Sequence, residues 1–417
     1  MSMTGHAGSG RREPACPRGG SEMRGNSAKR VLLVATLLVW SAFLAHRDAS
    51  AGAGDLIWED RLFLGSHNTL EAIVARGDRV FAAGAGPFTG GAPGRGNADI
   101  FVRAYEARTG GLLWTSRWDV SGRDDRPSGL AVEGDRVFVA GSSNLNVTGR
   151  SAGGLVVRAY DADTGDVLWE DQCPGNDSGA AAIGAHAGRV FVTGRCDTLS
   201  VVRVYDARTG ALVWSASGVG GALALEGDRL FVTGSDASGT PLLRSYEAGT
   251  GTLAWEVRGV AGAVAVEGGA VFVAGGQHVG AFDASTGTLL WQDDPGDFVL
   301  AITAGEGRVF VAGLGNHFLV RAYDAASGEL LWTDQPGGIQ GGGISVGGGQ
   351  AFVAGFFRGT VRAYDAVGGQ LRWESDFPGE ARPVAWAGGR VFVGGTSRHP
   401  VPPITAFDWL LNAYDVR

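Results

Sequence analysis

Seven times along this chain the aromatic residue of an AYD-like string is followed, nine positions later, by a tryptophan. The pairs are Tyr105 and Trp114, Tyr160 and Trp169, Tyr205 and Trp214, Tyr246 and Trp255, Phe282 and Trp291, Tyr323 and Trp332, and Tyr364 and Trp373. Between the partners stands a turn such as ARTG, ADTG or ASTG. Glycine accepts the positive φ that closes a hairpin, and Asp or Thr bonds the local backbone. A loop would vary in length from copy to copy, so a separation this constant reads as a hairpin of fixed register.

A second string precedes each hairpin. It ends at Gly84 (VFAAG), Gly141, Gly194, Gly234, Gly275, Gly313, Gly355 and Gly395 (VFVGG). Segments such as GLAVEGDRVFVAG read as another hairpin turning at EGDR or AGGR, so each repeat holds four strands. Eight such strings and eight AYD-like strings meet only seven internal tryptophans, because the chain ends at Tyr414-Asp-Val-Arg417, where an eighth tryptophan strand is due. DLIWED, containing Trp58, stands near the other end of the chain. The expected fold is therefore all-β: an eight-bladed β-propeller of four-stranded antiparallel blades, closed by the N-terminal strand joining the last blade, with no free sheet edge left by an open array. The 71 glycines beside a normal 44% apolar content fit many short strands and tight turns rather than disorder. Inner strands such as GALALEG and GAVAVEG lack polar alternation, as expected where both faces of a sheet are covered.

Residues 1–51 read as a signal peptide with an extended N-region, and residues 52–417 as one propeller. Lys29 and Arg30 flank the apolar run 31–45, and Ala49 and Ala51 are placed as in an A-x-A cleavage site. The run is short for a bilayer span, so cleavage and export to the periplasm or beyond are expected, with no stable membrane span afterwards. Met23 is an alternative start. The leader carries seven basic and three acidic side chains, so the remainder is strongly acidic within a total of −8. That balance excludes a nucleic-acid footprint, which needs a concentrated basic face. In an exported chain, Cys173 and Cys196 form the pair expected to bridge, emerging on one face within one blade.

AYDARTGALVW and AYDADTGDVLW resemble the tryptophan-docking motif of PQQ-like (quinoprotein-type) propeller repeats, and the likeness runs from about residue 55 to the end. The resemblance implies that Trp58, Trp114, Trp169, Trp214, Trp255, Trp291, Trp332 and Trp373 sit on outermost strands and dock against the next blade. A buried tryptophan covers about 150–250 Å², an upper limit of roughly 4–6 kcal/mol per blade. The family includes quinoprotein dehydrogenases and a non-enzymatic branch resembling the scaffold of the bacterial outer-membrane assembly machinery. Two adjacent cysteines stack on the quinone in those dehydrogenases, whereas Cys173 and Cys196 stand apart, and no acid-and-amide cluster reads as their calcium site. The scaffold branch's lipid-attachment cysteine is missing too.

Length varies only after each tryptophan and after each VFVAG-type string, and both connections open on one side of the ring. The longest insertions are 85–99, 115–128, 142–154 and 396–409, in blades one, two and eight, which are neighbours. Trp118, Phe407 and Trp409 are candidate exposed aromatics of a raised patch there; the loop lengths favour packing beneath their own loops. His67, Asp297 and Arg358 are candidates for the channel mouth. The acidic pair in RDD (123–125) has no defined pocket in the sequence. No catalytic residue, metal site or required cofactor is expected. The favoured function is an exported non-catalytic scaffold, a monomer, binding a protein or cell-envelope polymer through the variable face. The alternative is an oxidoreductase using PQQ or another cofactor at the channel mouth.

Overall fold

The computed structural model describes residues 52–417 apart from 65–67, 88–97, 121–123, 146–151, 177, 315–317, 336–340, 356–358 and 401–404. Thirty-two strands form eight four-stranded antiparallel sheets. Blade one spans Thr69–Trp118, blade two Asp125–Asn176, blade three Gly179–Ser217 and blade four Leu223–Arg258. Blade five spans Ala263–Asp293, blade six Phe298–Asp334 and blade seven Gly341–Asp376. In each, consecutive strands pair in chain order from the inner to the outermost. Blade eight alone is composite: Glu380–Ala387, Arg390–Pro400 and Thr405–Asp415 are completed by Leu56–Leu62 from the other end of the chain.

The VFVAG-type strands and the AYD strands are buried almost throughout, because each face of a blade is covered by its neighbour. The two faces separate by residue parity. Val137 and Val139 of blade two pack with Ile100, Val102 and Trp118 of blade one. Phe138 and Ala140 pack with Val190 and Val192 of blade three. The core is thus a series of interfaces between sheets, repeated around the ring.

The tryptophans close these interfaces. Each rests on the outermost strand of one blade and reaches the next. The indole Nε1 of Trp58 donates to the Ala107 carbonyl, Trp114 to Ala162, Trp169 to Ala207 and Trp214 to Ala248. Trp255, Trp291 and Trp332 donate likewise to Ala284, Ala325 and Ala366, all at 3.0–3.3 Å. At six of the eight interfaces the ring stacks on the next blade's tyrosine, as Trp58 does on Tyr105 and Trp169 on Tyr205 at 5.9 Å. Beneath it lies the turn glycine of that blade: a Cβ at Gly210 would stand 2.7 Å from Trp169. The spacing of nine places this glycine and the tryptophan of its own strand in constant register around the ring.

The same turn exists in blade eight, but it is divided between the two ends of the chain. In blade three, Asp206 N–H donates to the Ala211 carbonyl, Gly210 N–H to the Asp206 carbonyl, and Arg208 N–H to Asp206 Oδ1. In blade eight, Asp415 N–H donates to Asp55, Gly54 N–H to the Asp415 carbonyl at 2.8 Å, and Arg417 N–H to Asp415 Oδ1. Gly54 has φ +85° and lies under Trp373 as Gly210 lies under Trp169. Trp373 Nε1 alone among the eight docking indoles makes no hydrogen bond; Val416, at the equivalent position, accepts from Gln350 instead.

Polar clasps reinforce four interfaces. The aspartate two residues beyond the tryptophan accepts the next blade's tyrosine hydroxyl: Asp60 from Tyr105, Asp171 from Tyr205, Asp293 from Tyr323 and Asp334 from Tyr364, at 2.7–2.8 Å. An arginine two residues before each tyrosine pairs with the same carboxylate. On the tight-turn side, Glu133, Glu226, Glu267 and Glu306 accept the turn N–H of Gly188, Gly269, Gly307 and Gly349 in the following blade.

The disulfide joins Cys173 to Cys196 with Cα atoms 5.8 Å apart, but it does not lie within one blade. Cys173 belongs to the outermost strand of blade two (Val167–Asn176) and Cys196 ends the second strand of blade three (Arg189–Cys196). The outer strand of one blade overhangs its neighbour, so residues expected in one sheet bridge two.

Candidate functional site

Two places on the variable side of the ring gather polar groups or extended strands: the channel mouth, and the sector of blades eight, one and two.

The inner strands carry a bulge near their variable end in blades one, two, three, six, seven and eight. The extra residue is Glu71, Ser128, Ala181, Leu300 or Gly342, and the pair Arg382 and Pro383 in blade eight. A bulge leaves its residue outside the ladder and re-aims the side chain. Glu71, Gly342 and Arg382 line an open hollow of about 500 Å³ bordered by the inner strands of blades one, two, six, seven and eight. Its other lining residues are apolar or glycine. Gly342 and Gly343 have Arg382 or Ala381 backbone where a Cβ would go, so blades seven and eight approach as closely as backbone allows. Glu71 and Arg382 put one acid and one base on adjacent blades at this mouth.

Of the residues the sequence nominated for the mouth, His67 and Arg358 lie outside the described residues. Asp297 is half-buried in the connection from blade five to blade six and does not line the hollow. Glu71 and Arg382 went unnoticed in the sequence because nothing there marks a bulge.

The second region is a raised sector. The two middle strands of blades four to seven are six or seven residues long. In blade one they have nine residues each, in blade two ten and in blade eight eleven. At about 3.3 Å per residue, the ribbon of blade eight extends roughly 13 Å beyond the shorter blades. The described ends of the insertions 85–99, 142–154 and 396–409 are therefore extensions of hairpin strands. From Ser397 opposite Asp408 to Pro400 opposite Thr405, the ribbon has no third strand among the described residues.

The aromatics there are placed differently from a surface patch. Trp118 is 4% exposed, with the Arg158 guanidinium stacked 4.1 Å from its ring. Trp409 is 1% exposed and fills the space against Gly84 of blade one. Both pack against the neighbouring blade and not beneath their own loops, and Phe407 is half-buried. Side chains at alternating positions of a ribbon that starts inside the ring still face the neighbouring blade, which is why large apolar residues near its base are core.

In the same sector Asp99, Asp119 and Asp125 bring carboxylate oxygens within 4.8 Å of one another. Burial pushes the Asp99 carboxyl above the usual carboxylate range, against the pull of Arg117. Asp125 is the last residue of the RDD string, and the fold sets its carboxylate beside those of Asp99 and Asp119.

A family model described as outer membrane protein assembly factor BamB, of the PQQ type, matches residues 98–195, 152–261, 198–306, 242–337 and 316–408. The chain belongs to this family of PQQ-like propeller repeats. The overlapping matches follow from the repeat, since one pattern fits wherever successive blades begin. No curated protein matches the sequence. Among solved structures, BamB from Moraxella catarrhalis is similar over 87% of this chain and 100% of its own, at 16% identity and a TM-score of 0.62. A quinohemoprotein alcohol dehydrogenase from Pseudomonas putida HK5 covers 86% of this chain and 76% of its own, at 15% identity and a TM-score of 0.61. A europium-containing methanol dehydrogenase covers 87% and 93%, at 12% identity and a TM-score of 0.62. These likenesses show the fold.

Proposed function

We propose that this chain is an exported, non-catalytic propeller scaffold that binds a protein through the raised sector of blades eight, one and two. The observation that carries the reading is the graded length of the middle strands, greatest on three adjacent blades and least on the opposite side of the ring. A ribbon that runs on beyond its sheet presents a lateral edge, where Asn68 already bonds the Phe407 carbonyl, and an extended segment adds to such an edge as a further strand. The matching family, described as outer membrane protein assembly factor BamB, accords with a protein partner. Export rests on the leader pattern of residues 1–51 and accords with the disulfide, which persists in oxidising compartments. No helix among the described residues is long and apolar enough to cross a membrane.

The dehydrogenase reading meets a misfit. The resemblance to those enzymes calls for two adjacent cysteines stacked on the quinone. Here Cys173 and Cys196 are bonded to each other between an outermost strand and a second strand, away from the inner strands that line the channel. The residues present do not fit a quinone held in that way.

The test replaces 397–408 with a short turn and compares capture of envelope proteins, and of envelope polymer, with the unaltered chain. Loss of protein capture at an unchanged unfolding midpoint is the expected result. Unchanged protein capture removes this ribbon from the interface, and capture of polymer alone changes the class of partner.

A further inference from the structure

The turn that closes the ring begins at the first residue after the expected cleavage point. Ala49 and Ala51 are spaced for removal of residues 1–51, which makes Gly52 an amino terminus. Gly52 N–H donates to Asp55 Oδ2 at 2.7 Å, and Asp55 N–H returns to the Gly52 carbonyl at 3.0 Å. Both residues are exposed, and among the described residues the Asp55 carboxylate meets no other donor. The charged groups around it are already paired with one another. Asp415 accepts the Arg417 N–H and its guanidinium, and Arg372, next to Trp373, pairs with Asp365.

The same short segment holds the closing strand in place. Gly54 N–H donates to the Asp415 carbonyl, Asp415 N–H donates to the Asp55 carbonyl, and Gly54 lies under the Trp373 ring. Leu56 follows at once and opens the strand that completes blade eight. Asp55 therefore joins the ring through its backbone and Gly52 through its side chain.

A peptide nitrogen and an amino terminus offer such a carboxylate different things. Hydrolysis of the Ala51–Gly52 bond takes up one water, leaves a carboxylate on Ala51 and makes the Gly52 nitrogen an ammonium. One neutral donor becomes three donors with a unit positive charge. A charge-assisted hydrogen bond is roughly twice as strong as a neutral one. We propose, on the reading of residues 1–51 as a removed leader, that the Gly52 ammonium freed by cleavage pairs with Asp55 and clasps the turn that closes the ring. Processing of the leader and closure of blade eight are then coupled, because an uncleaved chain keeps only the neutral bond.

Lys29 is the only lysine of the chain and leaves with the leader, so the α-amine of Gly52 is the sole primary amine of the processed protein. An acetylating succinimidyl ester thus reads that one nitrogen. The chain is produced with its leader, exported, and its first residue found by mass spectrometry; Gly52 is expected. At about pH 8, where an α-amino group titrates, the acetylation rate follows the share of free amine. It is expected to be about two- to fivefold slower in the wild type than in Asp55→Asn, the range of an exposed ion pair. Asparagine keeps the hydrogen-bond acceptor and drops the charge. The difference shrinks at about 1 M salt. Acetylated wild-type protein should show faster amide exchange in Leu56–Leu62 than unmodified protein, whereas acetylation of Asp55→Asn changes nothing there. A first residue other than Gly52 overturns the cleavage reading and the clasp with it. Gly52 in first place with equal acetylation rates overturns the ion pair alone. Slow acetylation with exchange unaltered by the acetyl group overturns the coupling to ring closure.

Discussion

The divided turn of blade eight makes a quantitative claim about one glycine near the N-terminus. Gly54 has φ +85°, and a Cβ there would stand 2.9 Å from Trp373 ring carbons. Gly54→Ala therefore combines two costs. Forcing alanine into the left-handed region costs about 1–2 kcal/mol. Pressing its methyl into the docked indole adds about 1–3 kcal/mol of overpacking. Gly227 provides the control: its φ is +54°, and a Cβ there meets nothing within 4 Å. Gly227→Ala should carry the backbone cost alone. Denaturant unfolding of the three proteins gives the comparison, and amide exchange in Leu56–Leu62 locates the effect. The expected excess of Gly54→Ala over Gly227→Ala is about 1–3 kcal/mol, with faster exchange in that strand. Equal destabilisation by the two substitutions would refute the claim that Gly54 completes the docking site of Trp373.

Two further outcomes follow from the interfaces. All seven tyrosines of the chain lie in the AYD strands, each at most 3% exposed, and burial raises the pKa of every one, Tyr414 to about 12. A raised folded-state pKa stabilises fully below the unfolded value of about 10 and ceases to do so as pH climbs through the folded one. Tyrosinate absorbance should thus stay flat near pH 10 and appear together with cooperative unfolding at higher pH; a smooth titration centred near 10 in the folded protein contradicts the packing. Cys173→Ala with Cys196→Ala should lower stability by about 3 kcal/mol, the chain-entropy value for a loop of this length. Exchange should then quicken at the variable end of the interface between blades two and three; exchange raised throughout blade two alone would place the bridge within that blade.

How much was legible beforehand depended on the kind of regularity involved. The hairpin from Tyr205 to Trp214 was readable because its length, its turn glycine and its tryptophan are all local, and the same constraint recurs around the ring. Counting the copies also exposed the missing eighth outer strand and pointed to Trp58. The turn shared by Gly54 and Asp415 went unread, although Gly54, Asp55 and Asp415 each occupy the position their counterparts hold in the other blades.

Sequence alone determined the number of blades, the strands in each and the role of the docking tryptophans, because each copy obeys a short-range rule of spacing and parity. Tertiary structure decided what happens between blades. The overhang of one outer strand put Cys173 beside Cys196 of the next sheet, and neighbour packing buried Trp118 and Trp409. Bulges brought Glu71 and Arg382 to one hollow, and two ladder ends gathered Asp99, Asp119 and Asp125. Such meetings join residues from sheets whose relative twist and offset no local pattern encodes.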